Sequence, residues 1–376
     1  MMTLEERLMV QRLAIVRALH VGDLLLAVPA FRAIRRGFPA AEITLIGLPW
    51  ARDFVQRFRQ YVDRLREFPG YPGLLEVDED RERIRAFLDQ ERAYRYDVVV
   101  QMHGNGRASN PFALELGGRR TIGYYESRQP DGLWLGATYP DDRHESERDL
   151  GLAGLLGLPA DDLRLEFPLL PEDVRAGQSL LSSALDQNRP VVGLHVGARP
   201  PARRWPAERF AIVGDALACE RGAQVVITAG PGEEPLAQSV VDRMDRPPLN
   251  LAGRTSLGSL AAVIHRCDLF ISNDTGPAHV AVALDTPSIT IFGPADRRRW
   301  APLDQRRHLI AFQPVACSPC PHWDCPIDHR CLRRVEPAQV LGLAYHLLAE
   351  ESLLLTKKHD QDLSFSARSA LKLRSW

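Results

Sequence analysis

Asn273-Asp274-Thr275-Gly276-Pro277-Ala278-His279 decides how the rest of the chain is read. An apolar run, Asp268-Leu269-Phe270-Ile271-Ser272, precedes it and reads as a strand buried on both faces. Val280-Ala281-Val282-Ala283-Leu284 follows and reads as a short helix. Pro277 suits a first helical position, where its missing N–H would have no partner in any case. Thr275 and Gly276 then lie where free backbone N–H groups and the helix dipole converge, a ready seat for an anion such as a diphosphate. The plainer alternative is an ordinary strand–turn–helix junction with Asp274 as its N-cap.

The same alternation extends outward in both directions. Towards the N-terminus of this half lie strands at 190–196, 224–228 and 248–251, with helices at 207–220 and 233–244. Ser256 caps a further helix to about Arg266, and Ser288–Phe292 is a strand beyond the motif. An independent series fills the first half. It has strands at 12–16, 42–47, 62–68 and 96–101, a helical pattern through Leu24, Val28, Phe31 and Ile34, and an exposed helix in the charged stretch 78–95. Pro29 starts or kinks the first of these helices. Residues 121–170 read as loop-rich. Two βαβ series separated by an irregular middle imply an α/β fold of two doubly wound, Rossmann-like domains. They are expected at 1–180 and 181–350, with a basic tail at 351–376.

Composition sets the class. The chain has 376 residues, 45% hydrophobic and 25% charged, with a net charge of −1. These are values of an ordinary globular protein, without the basic excess of a nucleic-acid binder. No apolar run approaches the roughly eighteen residues of a membrane span, and the first residues lack a signal-peptide layout. A cytoplasmic location follows as an expectation, with the six cysteines as thiols or ligands and not disulfides.

In doubly wound sheets ligands bind beyond the carboxyl ends of the strands, so the loops there hold the candidate residues. Gly22-Asp23 follows the first strand; Asp23 can serve as a general base or as a helix cap. Gly197 and the pair Arg203-Arg204 follow the strand at 190–196. The glycine suits close backbone approach, and the guanidiniums suit a diphosphate. Glu233 can accept hydrogen bonds from a ribose hydroxyl pair or complement its own helix. Cys317-x2-Cys320-x4-Cys325-x5-Cys331, with His322 and His329, has the ligand types of a tetrahedral zinc site. Its spacing departs from paired CxxC units, so four reduced thiols are the favoured reading and no cofactor is required. The tail from Lys357 carries Phe365, Leu371, Leu373 and Trp376 among basic residues, suited to an anionic membrane surface or to a frayed end.

Taken together and in order, these stretches resemble glycosyltransferase family 9, the group that includes the ADP-heptose:lipopolysaccharide heptosyltransferases. The matching segments are Val21–Ile34, Gly197-Ala198 with Arg203–Pro206, Leu251–Leu257, Asn273–His279 and Ile291–Pro294. The resemblance spans about residues 12–345. It implies a GT-B architecture, with an acceptor-binding N-domain and a nucleotide-sugar-binding C-domain facing each other across a cleft, and transfer with inversion.

By the same resemblance Asp23 is the base that takes the acceptor hydroxyl proton. Arg203 stands where the heptosyltransferases use a phosphate-binding Lys, and Glu233 is the nucleoside-binding acid. Thr255 lies where the family's backbone holds the base of the nucleotide. Asp274, Thr275, Gly276 and His279 correspond to residues that hold the diphosphate and donor sugar, with Asp274 shaping the loop or binding the sugar. His20, Gly22, His103 and Asn105 fall on the acceptor side. His20 replaces a small hydroxylated residue, and Gln101–Asn110 matches the family's acceptor loop only loosely.

The expected activity is transfer of heptose from ADP-heptose to a lipopolysaccharide-core-like glycolipid or a polysaccharide. The partners are that donor and acceptor and no nucleic acid, for a monomer working at the inner face of the membrane. A GT-B sugar-nucleotide enzyme of epimerase type and a non-catalytic nucleotide-sugar-binding protein are the alternatives.

Overall fold

A computed structural model describes residues 2–182, 185–186 and 188–349. The basic tail, and with it the expected membrane contact, lies outside the described residues. The chain forms two compact units: one holds the described residues up to Leu170 together with Arg297–Trp300, the other Pro171–Asp296 and the described residues from Ala301 onward. The division falls ten residues before 180, because the helix Pro171–Ser182 packs against the helix Leu257–Arg266 of the second unit.

The first unit carries strands β1 Arg12–Val16, β2 Glu42–Gly47, β3 Arg64–Glu67, β4 Val98–Gln101, β5 Arg120–Tyr125 and β6 Leu133–Thr138. They form one parallel sheet in the order β3-β2-β1-β4-β5-β6. Val98, Val99 and Val100 are completely buried, as a run apolar on both faces requires. Ala14, Val16, Ile46 and Val99 meet Phe87 and Phe112 in one core cluster.

Pro29 stands in the first turn of a new helix, as expected of a proline that starts one. That helix, Val28–Gly37, follows Val21–Leu26 after the shared cap Ala27. Residues 121–170 are more regular than expected. They contain most of β5, all of β6 and the helix Glu145–Leu155.

The second unit repeats the plan with β7 Val191–His195, β8 Gln224–Thr228, β9 Leu249–Asn250, β10 Leu269–Asn273, β11 Ser288–Ile291 and β12 His308–Ala311, in the order β12-β11-β10-β7-β8-β9. Val192, Leu194, Ile271 and Ile289 pack with Trp205 and Phe210 in its core. In each sheet the strand order reverses beside the first strand, between β1 and β4 and between β7 and β10. Those two points are where a doubly wound sheet opens a ligand crevice.

Candidate functional site

At the β7/β10 switch point Asn273 ends β10 fully buried and joins two loops. Its Nδ2 donates to the carbonyls of Val196 at 2.9 Å and Gly197 at 3.3 Å, and its Oδ1 accepts from the Trp205 N–H at 2.9 Å. The chain then turns through buried Asp274 into the helix Gly276–Ala283. Thr275 is the N-cap and Pro277 the second helical residue, not the first, while Asp274 lies one residue before the cap. Gly276 therefore opens the helix, where the first amides lack intrahelical acceptors. His279 is buried in the same turn.

Arg203 and Arg204 diverge instead of pointing together. Arg203, at the end of the 3-10 turn Pro201–Arg203, places Nη1 3.0 Å from Asp274 Oδ2. Arg204 donates through Nε to the Ala198 carbonyl at 2.8 Å and lies 3.4 Å from Glu233 Oε1. Glu233 Oε2 accepts the Gly230 N–H at 2.9 Å. A Cβ on Gly197 would meet that same oxygen at 1.8 Å. The space that Gly197 was expected to open for a ligand is thus held by a protein carboxylate. Thr255 is half-buried in the turn after β9, directly before the cap Ser256. His195, on β7, is buried against the Thr228 hydroxyl at 3.0 Å, and burial pushes its pKa down to about 4. It is a neutral core residue.

At the β1/β4 switch point Asp23 is the third residue of the helix Val21–Leu26, and its Oδ2 accepts the His20 N–H at 3.2 Å. It closes the first helical turn as well as lying at the strand end. Burial raises its pKa and the Glu145 carboxylate pushes the same way; Arg17 and His20 oppose them, and the net shift is upward. Gly22 beside it is buried.

His103 follows β4. Its Nδ1 accepts the Ala18 N–H at 3.3 Å, which leaves Nε2 to carry the proton towards Glu76 Oε1, also at 3.3 Å. Burial pushes the Glu76 carboxyl up, but the His103 hydrogen bond, the charges of His103 and His20 and a backbone hydrogen bond together outweigh it and leave it lowered. Asn105 donates to Glu126 at 2.5 Å. Gly106, at φ 88°, has Tyr124 O only 2.0 Å from where a Cβ would lie, so packing requires a glycine there.

The four clustered cysteines are free: Cys317 is exposed, Cys320 and Cys325 are half-buried, and Cys331 belongs to the apolar core. Among the described residues no group of three or more His, Cys, Asp or Glu is placed to hold a metal.

The model of glycosyltransferase family 9 (heptosyltransferase) matches residues 84–330. The chain belongs to glycosyltransferase family 9. Over 346 residues it is 28% identical to lipopolysaccharide heptosyltransferase 2 of Salmonella typhimurium, covering 89% of this chain and 97% of that protein. Over 175 residues it is 30% identical to lipooligosaccharide heptosyltransferase 2 of Campylobacter jejuni; that match spans 45% of this chain and about half, 54%, of the relative. The solved structure of a family 9 glycosyl transferase from Veillonella parvula shares the fold with a TM-score of 0.75 at 23% identity, covering 92% of this chain and 99% of that one.

Four residues around Asp23 in this glycosyltransferase were not expected from the sequence. Fully buried Arg17 donates Nε to the Asp23 carbonyl at 2.9 Å and lies 2.8 Å from Asp149 and 3.3 Å from Glu145. Arg299 donates Nε to Glu145 Oε2 at 2.8 Å. One available signal was the spacing of Glu145, Arg148 and Asp149, which shares one helical face.

Proposed function

We propose that this family 9 glycosyltransferase moves a heptose from ADP-heptose to a sugar hydroxyl of a lipopolysaccharide-core-like glycolipid, with inversion. The observation that carries the reading is that candidate residues follow the strands of both switch points, Arg203, Asp274 and Thr275 after β7 and β10 in one sheet and Asp23 and His103 after β1 and β4 in the other. The heptosyltransferase from Salmonella typhimurium, matched over almost its whole length, supports heptose and a lipopolysaccharide acceptor.

On this reading the diphosphate sits at the start of the helix Gly276–Ala283, against Thr275, Gly276 and the donors of Arg203 that Asp274 does not occupy. Charge grows there as the nucleoside diphosphate leaves, and prearranged donors stabilise it most at that moment. Asp274 orients Arg203 and shapes the loop, and His279 completes the turn. Glu233, held open by Gly197 and Arg204, accepts the ribose hydroxyls, and Thr255 borders the adenine. Asp23 removes the acceptor hydroxyl proton as oxygen attacks the anomeric carbon; its raised pKa strengthens it as a base. His20, Gly22, His103 and Asn105 hold the acceptor. A glycolipid acceptor places the reaction at the inner membrane face, and the protein acts as a monomer.

The test is incubation with ADP-heptose, UDP-sugars and GDP-sugars, with and without a heptose-terminated core oligosaccharide, followed by NMR of the products. The reading expects ADP release and a new inverted linkage only with ADP-heptose and oligosaccharide together. Conversion of a nucleotide sugar to an epimer without acceptor would overturn it.

A further inference from the structure

Arg17 is buried to 1% exposure, and a guanidinium without partners there would be strongly unfavourable. Its partners account for its placement. Beyond the Asp23 carbonyl, Nη1 donates to the Met102 carbonyl at 2.5 Å and to Asp149 Oδ1 at 2.8 Å, and Nη2 to Glu145 Oε1 at 3.3 Å. The other Glu145 oxygen accepts from Arg299 at 2.8 Å and Arg148 at 3.2 Å. One carboxylate thus gathers three guanidiniums. Asp149 lacks that supply, because its Oδ2 is buried with no hydrogen-bond partner among the described residues. Arg299 lies in sequence between β11 and β12, yet Arg297–Trp300 groups with the first unit.

We propose that Glu145, clamped by Arg17, Arg148 and Arg299, is a positioning residue for Asp23 and tunes its strength as a base. Arg17 passes the geometric part, because its Nε holds the main chain at Asp23. The electrostatic part is direct. The groups facing Asp23 are Arg17 and His20 from its own loop, Glu145 and Asp149 from the helix Glu145–Leu155, and Arg299 from Arg297–Trp300. Glu145 keeps the negative charge: burial disfavours it, but the guanidiniums outweigh burial and leave its pKa lowered. Asp149 goes the other way. Burial raises its pKa well above the usual range, with the neighbouring carboxylates adding to that and Arg17 and Arg299 opposing it. The fixed charge of Glu145 therefore raises the proton affinity of Asp23, and Arg299 lowers it.

This inference rests on Asp23 being the base, and its test separates the two. Carbon-13 titration of aspartate carboxyls, with the Asp23 resonance assigned by its loss in Asp23→Asn, requires no substrate. Glu145→Gln should move the Asp23 titration to lower pH, and Arg299→Gln to higher pH. The acid limb of kcat/KM with ADP-heptose and the heptose-terminated oligosaccharide should follow both shifts, while calorimetric ADP affinity stays within about twofold. Arg299 is one-third exposed, so its variant tests the idea even if Glu145→Gln fails to fold. Opposite shifts support the network, because a merely structural residue has no reason to give them. An Asp23 titration unmoved in Arg299→Gln, or moved the same way in both variants, overturns it. Undiminished transfer by Asp23→Asn instead removes the base assignment, and the proposal with it.

Discussion

Gly197→Ala should damage the second unit through one side chain, and the size of the damage can be worked out. The new Cβ would lie 1.8 Å from Glu233 Oε2 and 2.7 Å from its carboxyl carbon, so the carboxylate must swing away. It then loses the 2.9 Å bond from Gly230 N–H and the 3.4 Å contact with Arg204. A hydrogen bond to a charged acceptor contributes about 1.5–3 kcal/mol, and a part-exposed ion pair about 0–1 kcal/mol. Restricting the unfolded chain by replacing glycine returns roughly 0.4–1 kcal/mol. The net loss is about 1–3 kcal/mol, a fall in Tm of roughly 3–10 °C for a unit of this size. Calorimetric melts of wild type, Gly197→Ala, Glu233→Ala and the double variant test the cause. With Glu233 truncated there is nothing to displace, so adding Gly197→Ala should then be neutral or slightly stabilising. An equal loss of Tm in both backgrounds would refute the reasoning. ADP affinity should fall in both single variants if Glu233 holds the ribose.

His195 gives a pH dependence of known sign. Its folded pKa of about 4 lies below the ordinary 6.5, so its neutral form supports stability above pH 6.5 and that support is lost as pH falls towards 4. The loss is on the order of 3 kcal/mol; urea midpoints at pH 7 and 4.5 should converge for His195→Gln relative to wild type. Asn273→Ala leaves the Trp205 N–H and the carbonyls of Val196 and Gly197 without their partner. Urea unfolding should show a loss of roughly 2–5 kcal/mol, with ADP binding weakened because both donor loops lose their link.

The parallel strands were legible because both their faces are buried, which leaves continuous apolar runs such as Val98-Val99-Val100 and Leu269-Phe270-Ile271. Two such series, each with candidate residues at the strand ends, are enough to imply the two-unit plan. The helix Glu145–Leu155 was missed for the opposite reason. Glu145, Arg148 and Asp149 look like solvated charges, and only partners remote in sequence, Arg17 and Arg299, make their burial tolerable. The run Arg297-Arg298-Arg299 likewise reads as a basic surface. Local pattern cannot show that one of the three turns to Glu145. Gly197 and Asp23 show a subtler limit. Each stands at its strand end, yet Gly197 accommodates a protein carboxylate and Asp23 also closes a helical turn.

Single-turnover transfer by Asp23→Asn tests the central claim most directly. Wild type and variant are mixed with ADP-heptose and the heptose-terminated core oligosaccharide, and ADP and the elongated sugar are followed together. The variant should bind ADP-heptose as wild type does while transfer slows by roughly 10²–10⁴-fold. Transfer at the wild-type rate by a folded Asp23→Asn protein would contradict it.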